Sequence, residues 1–293
     1  MNAAARIGGF GLILAVVFAA AAFAGSKIDP SVDENAGDHA SKMDAGDGGA
    51  PEPASVPGLA VADGGLRLVS EQTTLAAGPR AEYRFRIAGQ TGHTLREFDT
   101  KHTRRMHLIV VRRDFQNFQH LHPRQLEDGS WETHVDLREA GVYRVFADFA
   151  TGGRSLTLAT DLFVPGNFDP RPLPAPATTA DAGDGYEVTV SGSPRLHFTV
   201  TRDGRPVDSV EPYLGADGHL VALREHDQAY LHTHPEGSAG GPGPIVFGVE
   251  YPSPGRYRLF LQFKHGGKVR TAAFTQDVGR DDVATEEADH GDH

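Results

Sequence analysis

The chain has 293 residues, 39% hydrophobic and 23% charged, with a formal net charge of −11. That acidic balance excludes a dedicated nucleic-acid binder, which needs clustered Lys and Arg. The lack of cysteine excludes disulfides, zinc–thiolate sites, thiol nucleophiles and blue-copper centres. Metal chemistry would fall to 15 histidines, the carboxylates and three methionines.

Residues 7–25, IGGFGLILAVVFAAAAFAG, form an uncharged apolar run, preceded by Arg6 and followed by Lys27, Asp29, Asp33 and Glu34. Nineteen apolar residues span a bilayer as a helix, and the charge order places the N-terminus inside. We read residues 1–25 as a membrane anchor. The alternative is a signal peptide, because Ala22-Phe23-Ala24 before Gly25 resembles a small-residue cleavage site. Both readings put residues 26–293 outside the cytoplasm.

Residues 26–63 are rich in Gly, Ala, Asp, Pro and Ser and read as a flexible tether. Two folded modules follow, over 64–164 and 185–279, joined by a Pro- and Ala-rich linker over 165–184. Residues 280–293 form an acidic tail that contains His290 and His293.

The two modules repeat one another. MHLIVVRRDFQNFQHLHP (106–123) matches GHLVALREHDQAYLHTHP (218–235) at an offset of 112. GVYRVFADF (141–149) matches GRYRLFLQF (255–263) at an offset of 114. His107 falls on His219, His120 on His232, His122 on His234, and Tyr143 on Tyr257. The period is that of a whole domain, so this is a tandem duplication. HLIVV and HLVAL are dense in strand-forming residues. YRFRI (83–87), YRVFADF and YRLFLQF alternate as half-buried strands do. With Gly, Pro and Asp turns between them, these short strands predict an all-β chain: two tandem immunoglobulin-like or cupredoxin-like β-sandwiches after the N-terminal hydrophobic helix.

Residues 107–111 and 118–122 predict a hairpin. With Val111 opposite Phe118, His107 lies opposite His122, and Cβ atoms of such a pair are about 4.5–5.5 Å apart. His120 shares the face of His122. His107, His120 and His122 then converge, as do His219, His232 and His234 in the second copy. Three neutral imidazoles suit Zn(II) or Cu(II), with zinc–nitrogen bonds of about 2.0–2.1 Å. His102 and His134 could add ligands to the first set, and His226 or His265 to the second. The histidines share a face with Ile109, Val111 and Phe118, which reads as the sandwich core, and there they could instead bond backbone carbonyls. Met106 points to the other face and reads as core, and the lone Trp131 reads as core or a turn plug.

These motifs resemble a family of exported, heavy-metal-associated bacterial proteins. The resemblance rests on MHLIVVRRD (106–114) and FQHLHP (118–123) in the first module. In the second it rests on PYLGA (212–216), GHLVALRE (218–225), YLHTHP (230–235) and PGRYRLFLQFKHGG (254–267). It implies an extracytoplasmic location and a link to copper or another heavy metal. One departure is Ala140-Gly141 where the second copy has Pro254-Gly255.

The expected function is an extracytoplasmic copper or zinc carrier or buffer, not an enzyme, whose tether lets it reach a membrane metal transporter. The alternative is a non-catalytic cell-surface interaction module with structural histidines. A cupin-like metalloenzyme ranks below both. His120-Leu121-His122 followed by Glu127 matches such a motif in part, but the second copy has no equivalent Glu and the glycine spacing fails in both.

Overall fold

The computed structural model describes residues 56–231, 233–237 and 239–283. The anchor or signal segment, most of the tether, most of the tail and His232 lie outside them. Among the described residues no helix is long and apolar enough to cross a membrane, and the only helical turn is Arg280–Asp282.

The first module has nine strands. β1 (Ala62–Asp63), β2 (Leu66–Ser70), β3 (Ala81–Gly89), β6 (Arg124–Gln125) and β7 (Trp131–Val135) form one sheet in the order β1-β2-β3-β7-β6. β4 (His107–Arg112), β5 (Gln119–Leu121), β8 (Gly141–Thr151) and β9 (Arg154–Val164) form the other in the order β5-β4-β8-β9. All these strand pairs are antiparallel. The inward residues alternate along each strand. Tyr83, Phe85, Ile87 and Trp131 meet Leu108, Val110, Tyr143, Val145 and Leu158 in one core. Met106 and Trp131 are therefore core, as their sequence context predicts.

The second module repeats the plan with an added β-ribbon. β10 (Thr179–Gly183), β11 (Tyr186–Ser191), β12 (Arg195–Arg202), β16 (Thr233–Glu236) and β17 (Ile245–Val249) pair in the order β10-β11-β12-β17-β16, and β13 (Arg205–Pro206) pairs with β12. β14 (Gly218–Arg224), β15 (Tyr230–Leu231), β18 (Gly255–His265) and β19 (Lys268–Val278) form the facing sheet in the order β15-β14-β18-β19. The stretch expected to be linker thus already carries a strand. β10 lies within residues 165–184 because it pairs in register with β11.

Two local devices recur in both copies. Tyr143 Oη donates to Glu139 O at 2.7 Å, and Tyr257 Oη donates to Ser253 O at 2.6 Å. Each tyrosine ties strand β8 or β18 to the turn four residues before it, the corner device of immunoglobulin-like sandwiches. The second device is a change of sheet within one chain segment. β5 pairs with β4, yet β6, starting three residues after β5 ends, pairs with β7 across the sandwich. β15 pairs with β14, and β16 then pairs with β17.

The two modules pack sheet against sheet. Ile109, Val111, Phe115 and Phe146 of the first are buried against Val221, Leu223, Tyr230 and Phe260 of the second. Every residue of β4 is buried, because one face meets its own core and the other meets the second module. The contacts are reciprocal. Phe118 stacks on Phe260 with ring centroids 4.1 Å apart, and Tyr230, its counterpart in the repeat, meets Phe146, the counterpart of Phe260, at 5.5 Å. His107 and His219, counterparts of one another, stack at 5.5 Å with an interplanar angle of 7°. A residue paired with its own equivalent is the mark of an isologous, two-fold interface. Gln228 Nε2 donates to Arg112 O at 3.1 Å across this interface. The entering chain closes one side of it. Tyr230 N donates to Pro57 O at 2.9 Å, and Gly58 (φ +73) leaves no room for a Cβ, which would sit 2.7 Å from Tyr230 Cβ.

The face shared by His107, Ile109, Val111 and Phe118 is therefore the seam between modules, not the core of one sandwich as its apolar content suggests. The core of the first module takes the opposite face of β4, that of Leu108 and Val110.

Candidate metal centre at the seam

The predicted hairpin register holds. Leu108 pairs with Leu121, Ile109 with His120 and Val110 with Gln119, the same alignment that sets Val111 opposite Phe118. His107 opens β4, His120 lies on β5, and His122 follows at the point where the chain leaves this sheet. The three rings converge as expected. His107 is 5.3 Å from His120 and 5.1 Å from His122 between centroids, and His120 is 4.8 Å from His122.

The second copy does not build a matching cluster among the described residues. His219 turns into the first cluster instead, its ring 4.4 Å from His120. His107, His120 and His219 each offer a ring nitrogen, and these atoms lie within 4.8 Å of one another. His234 has been carried away by the sheet change. It pairs with Gly248 in the opposite sheet, half exposed, with Nε2 3.6 Å from Glu250 Oε1. His232 lies outside the described residues. Of the four auxiliary histidines, His102 alone joins, its ring 6.1 Å from His107 and 6.0 Å from His219. His134 pairs with Glu82 on the other sheet, His226 is 90% exposed, and His265 bonds Tyr186 Oη at 2.7 Å.

The surroundings fix the protons. His107 Nε2 lies 3.0 Å from Lys101 O, an acceptor only, so Nε2 carries the proton and Nδ1 is bare. His120 Nδ1 donates to Gln262 Oε1 at 2.7 Å, so its Nε2 is bare. These two bare nitrogens face each other at 3.0 Å. Two lone pairs at that distance repel unless a proton or a cation lies between them. Nε2 of His219 and Nε2 of His122 are also buried without a partner. A second group that orients each ligating imidazole is the usual arrangement at metal sites. Lys101 O and Gln262 supply it here.

The loop that brings Lys101 is tight. Lys101 and Arg104 exchange backbone hydrogen bonds at 2.8 and 3.0 Å, and the two residues between them, His102 and Thr103, have φ of 48° and 66°. This is the geometry of a two-residue hairpin with both central residues left-handed. It is unfavourable for a β-branched Thr, and strain of this kind gathers at functional sites.

Sequence reasoning missed Gln262 and Asp148. In the ladders, His107 pairs with Asp148 and Asp148 with Thr157; His219 pairs with Gln262 and Gln262 with Thr271. Both rows sit at equivalent places in the repeat: Asp148 and Gln262 fall on one another inside the aligned blocks 141–149 and 255–263, where a polar residue between two apolar ones was the signal. Thr157 Oγ1 donates to Asp148 at 3.2 Å. The Asp148 carboxylate, buried beside the histidines, favours positive charge at His107.

All four central rings are held neutral. Burial first, then the neighbouring imidazoles, push His120 down to about 3 and His122 down to about 4. The same causes lower His219 well below the ordinary value, and burial lowers His107. Below pH 6.5 the unfolded chain takes up protons at these rings that the folded protein refuses. Stability is thus complete above about 6.5 and lost as pH falls toward 4 and then 3. For His120 alone the loss at pH 5 is about 2 kcal/mol. Denaturant melts of metal-free protein at pH 7.5 and 5.0 check this. His120→Gln, which cannot titrate, should flatten the pH dependence.

Two tandem β-sandwiches with a histidine cluster in their seam thus define the class of protein. The chain belongs to the family described as domain of unknown function DUF8832, whose model matches residues 60–166 and again 179–280, one match per sandwich. No curated protein matches it. Among solved structures it is similar to a chimeric titin Z1Z2 carrying a KLER peptide from decorin (13% identity, 72% of this chain, 96% of that chain, TM-score 0.19). It is also similar to domains 4–9 of the surface layer protein SbsC (11% identity, 71% of this chain, 30% of that chain, TM-score 0.20).

Proposed function

We propose that this chain is an extracytoplasmic metal-binding protein, a carrier or buffer for Cu(II) or Zn(II), with one site built jointly by its two modules. The observation that carries this reading is the pair of bare nitrogens of His107 and His120, facing each other at 3.0 Å in a seam where neither ring takes a proton at neutral pH. His219 Nε2, buried and unpartnered, is the third ligand. His122, its ring 4.8 Å from that of His120, stands beside them as a fourth imidazole. Three or four neutral imidazoles favour Cu(II) over other divalent first-row ions and suit tetrahedral Zn(II). Asp148 supplies negative charge beside the site without being needed as a ligand. The apolar run at residues 7–25 supports a place at the outer face of a membrane, and a transporter there is the natural partner.

Stoichiometry tests this. Titrating the full chain with Co(II), read by its visible ligand-field bands, and with Cu(II) should give one tight equivalent per chain. Two tight equivalents would restore separate sites in each module. No tight equivalent would leave the cluster as a structural polar element of the seam.

A further inference from the structure

A cleft of ≈ 320 Å³ opens beside His122 on the first module. Arg104, Arg105 and Arg124 line it, together with Trp131 and two threonines, and no Asp or Glu does. In a chain of net charge −11, three guanidinium groups gathered around one hollow are not the general surface. Glu132 reaches one of them, Arg124, from outside the lining at 3.0 Å. Two buried nitrogens of the lining residues have no partner: Nε1 of Trp131, a residue 2% exposed, and Nε2 of His122. An indole N–H can only donate, so burying it alone costs the strength of a hydrogen bond. A ligand with acceptor oxygens would remove that cost. The Arg105 guanidinium lies 6.0 Å from the centre of the Trp131 ring, and the Arg104 charge acts directly on His122.

We infer that this cleft binds a small anion rich in oxygen acceptors, of the phosphate or carboxylate type, held by the three arginines and the Trp131 N–H. Guanidinium forks match such oxygens in pairs. The occupant would lie against His122, whose ring touches both His107 and His120. There it could lend an oxygen to a histidine-bound cation, so that metal arrives or leaves as an anionic complex. Its place beside a metal rests on the function proposed above; its binding of an anion does not.

Trp131 is the only tryptophan of the chain and lines the cleft from the core side, so its emission reports on the cleft wall with no other indole contributing. The test is a fluorescence titration of the metal-free full chain in detergent with inorganic phosphate and with citrate, against chloride at matched ionic strength. At least one oxyanion should give a saturable change that chloride does not. The double variant Arg104→Ala/Arg124→Ala should bind it about tenfold or more weakly while keeping its Co(II) stoichiometry. A Trp131→Phe chain followed by calorimetry should also bind more weakly. The inference falls if neither oxyanion differs from chloride, or if the double variant binds as well as the parent. A protein that binds the oxyanion but no Co(II) would overturn the metal reading and leave the cleft standing. One that binds Co(II) but neither oxyanion would do the reverse.

Discussion

Replacing His219 with Ala should abolish tight metal binding as completely as replacing His107 or His120, although His219 lies in the other module. In the described geometry His219 brings a ring nitrogen within 4.8 Å of ligating atoms of the first module, and its Nε2 is buried without a partner. Loss of one of three nitrogen ligands should weaken Co(II) or Cu(II) by more than the 10–100-fold typical of losing an orienting group. His234→Ala should leave affinity unchanged, since that side chain lies in the opposite sheet beside Glu250. Gln262→Leu gives the intermediate case. It keeps every ligand but frees the His120 ring to turn, so a loss of about 10–100-fold is expected. The shared-site assignment fails if His219→Ala retains full affinity, or if His234→Ala loses it.

The second large effect is expected from Phe260→Ala. Phe260 is 3% exposed and stacks on Phe118 across the seam. Removing a buried phenyl ring costs about 3–5 kcal/mol through lost transfer energy and the cavity left behind. In a folded region of this size that lowers the melting midpoint by roughly 10 °C. The same variant should weaken metal binding, because the third ligand is held in place by the packing of one module on the other. Metal in turn should raise the midpoint of the parent, by about 4 kcal/mol of stability at a thousandfold excess over Kd. Calorimetric melts with and without Co(II) measure both. Equal metal affinity in Phe260→Ala and the parent would show that seam and site are independent.

Much of the fold was legible in the chain itself. The alternating strands, the 112-residue repeat and the hairpin register all emerge as read, because each depends on local pattern and turn spacing. The seam was less legible, though a signal existed. HLIVV has no polar alternation, and a strand apolar on both sides is a strand covered on both faces. YEVTVS in β11, by contrast, alternates strictly and has one exposed face. Reading the face of His107, Ile109 and Val111 as the core of one sandwich gave that face the wrong partner. The site was legible as to residue type and only partly as to membership. His107, His120 and His122 converge because a hairpin brings them together. The equivalence of His122 and His234 breaks because the strand crosses between sheets, an event that no spacing rule records. Gln262 and Asp148 lie 142 and 41 residues from the histidines they serve, so only the assembled sheets bring them in.

The reciprocal contacts across the seam have a consequence for protein abundance. An interface of this two-fold kind between separate chains would assemble only above its dissociation constant, and a site built from both sides would vanish on dilution. Joining the halves in one polypeptide replaces that dependence with an effective concentration on the order of millimolar. The histidine cluster therefore stays complete however few copies of the protein are present. A carrier that must capture scarce metal at low copy number depends on that independence.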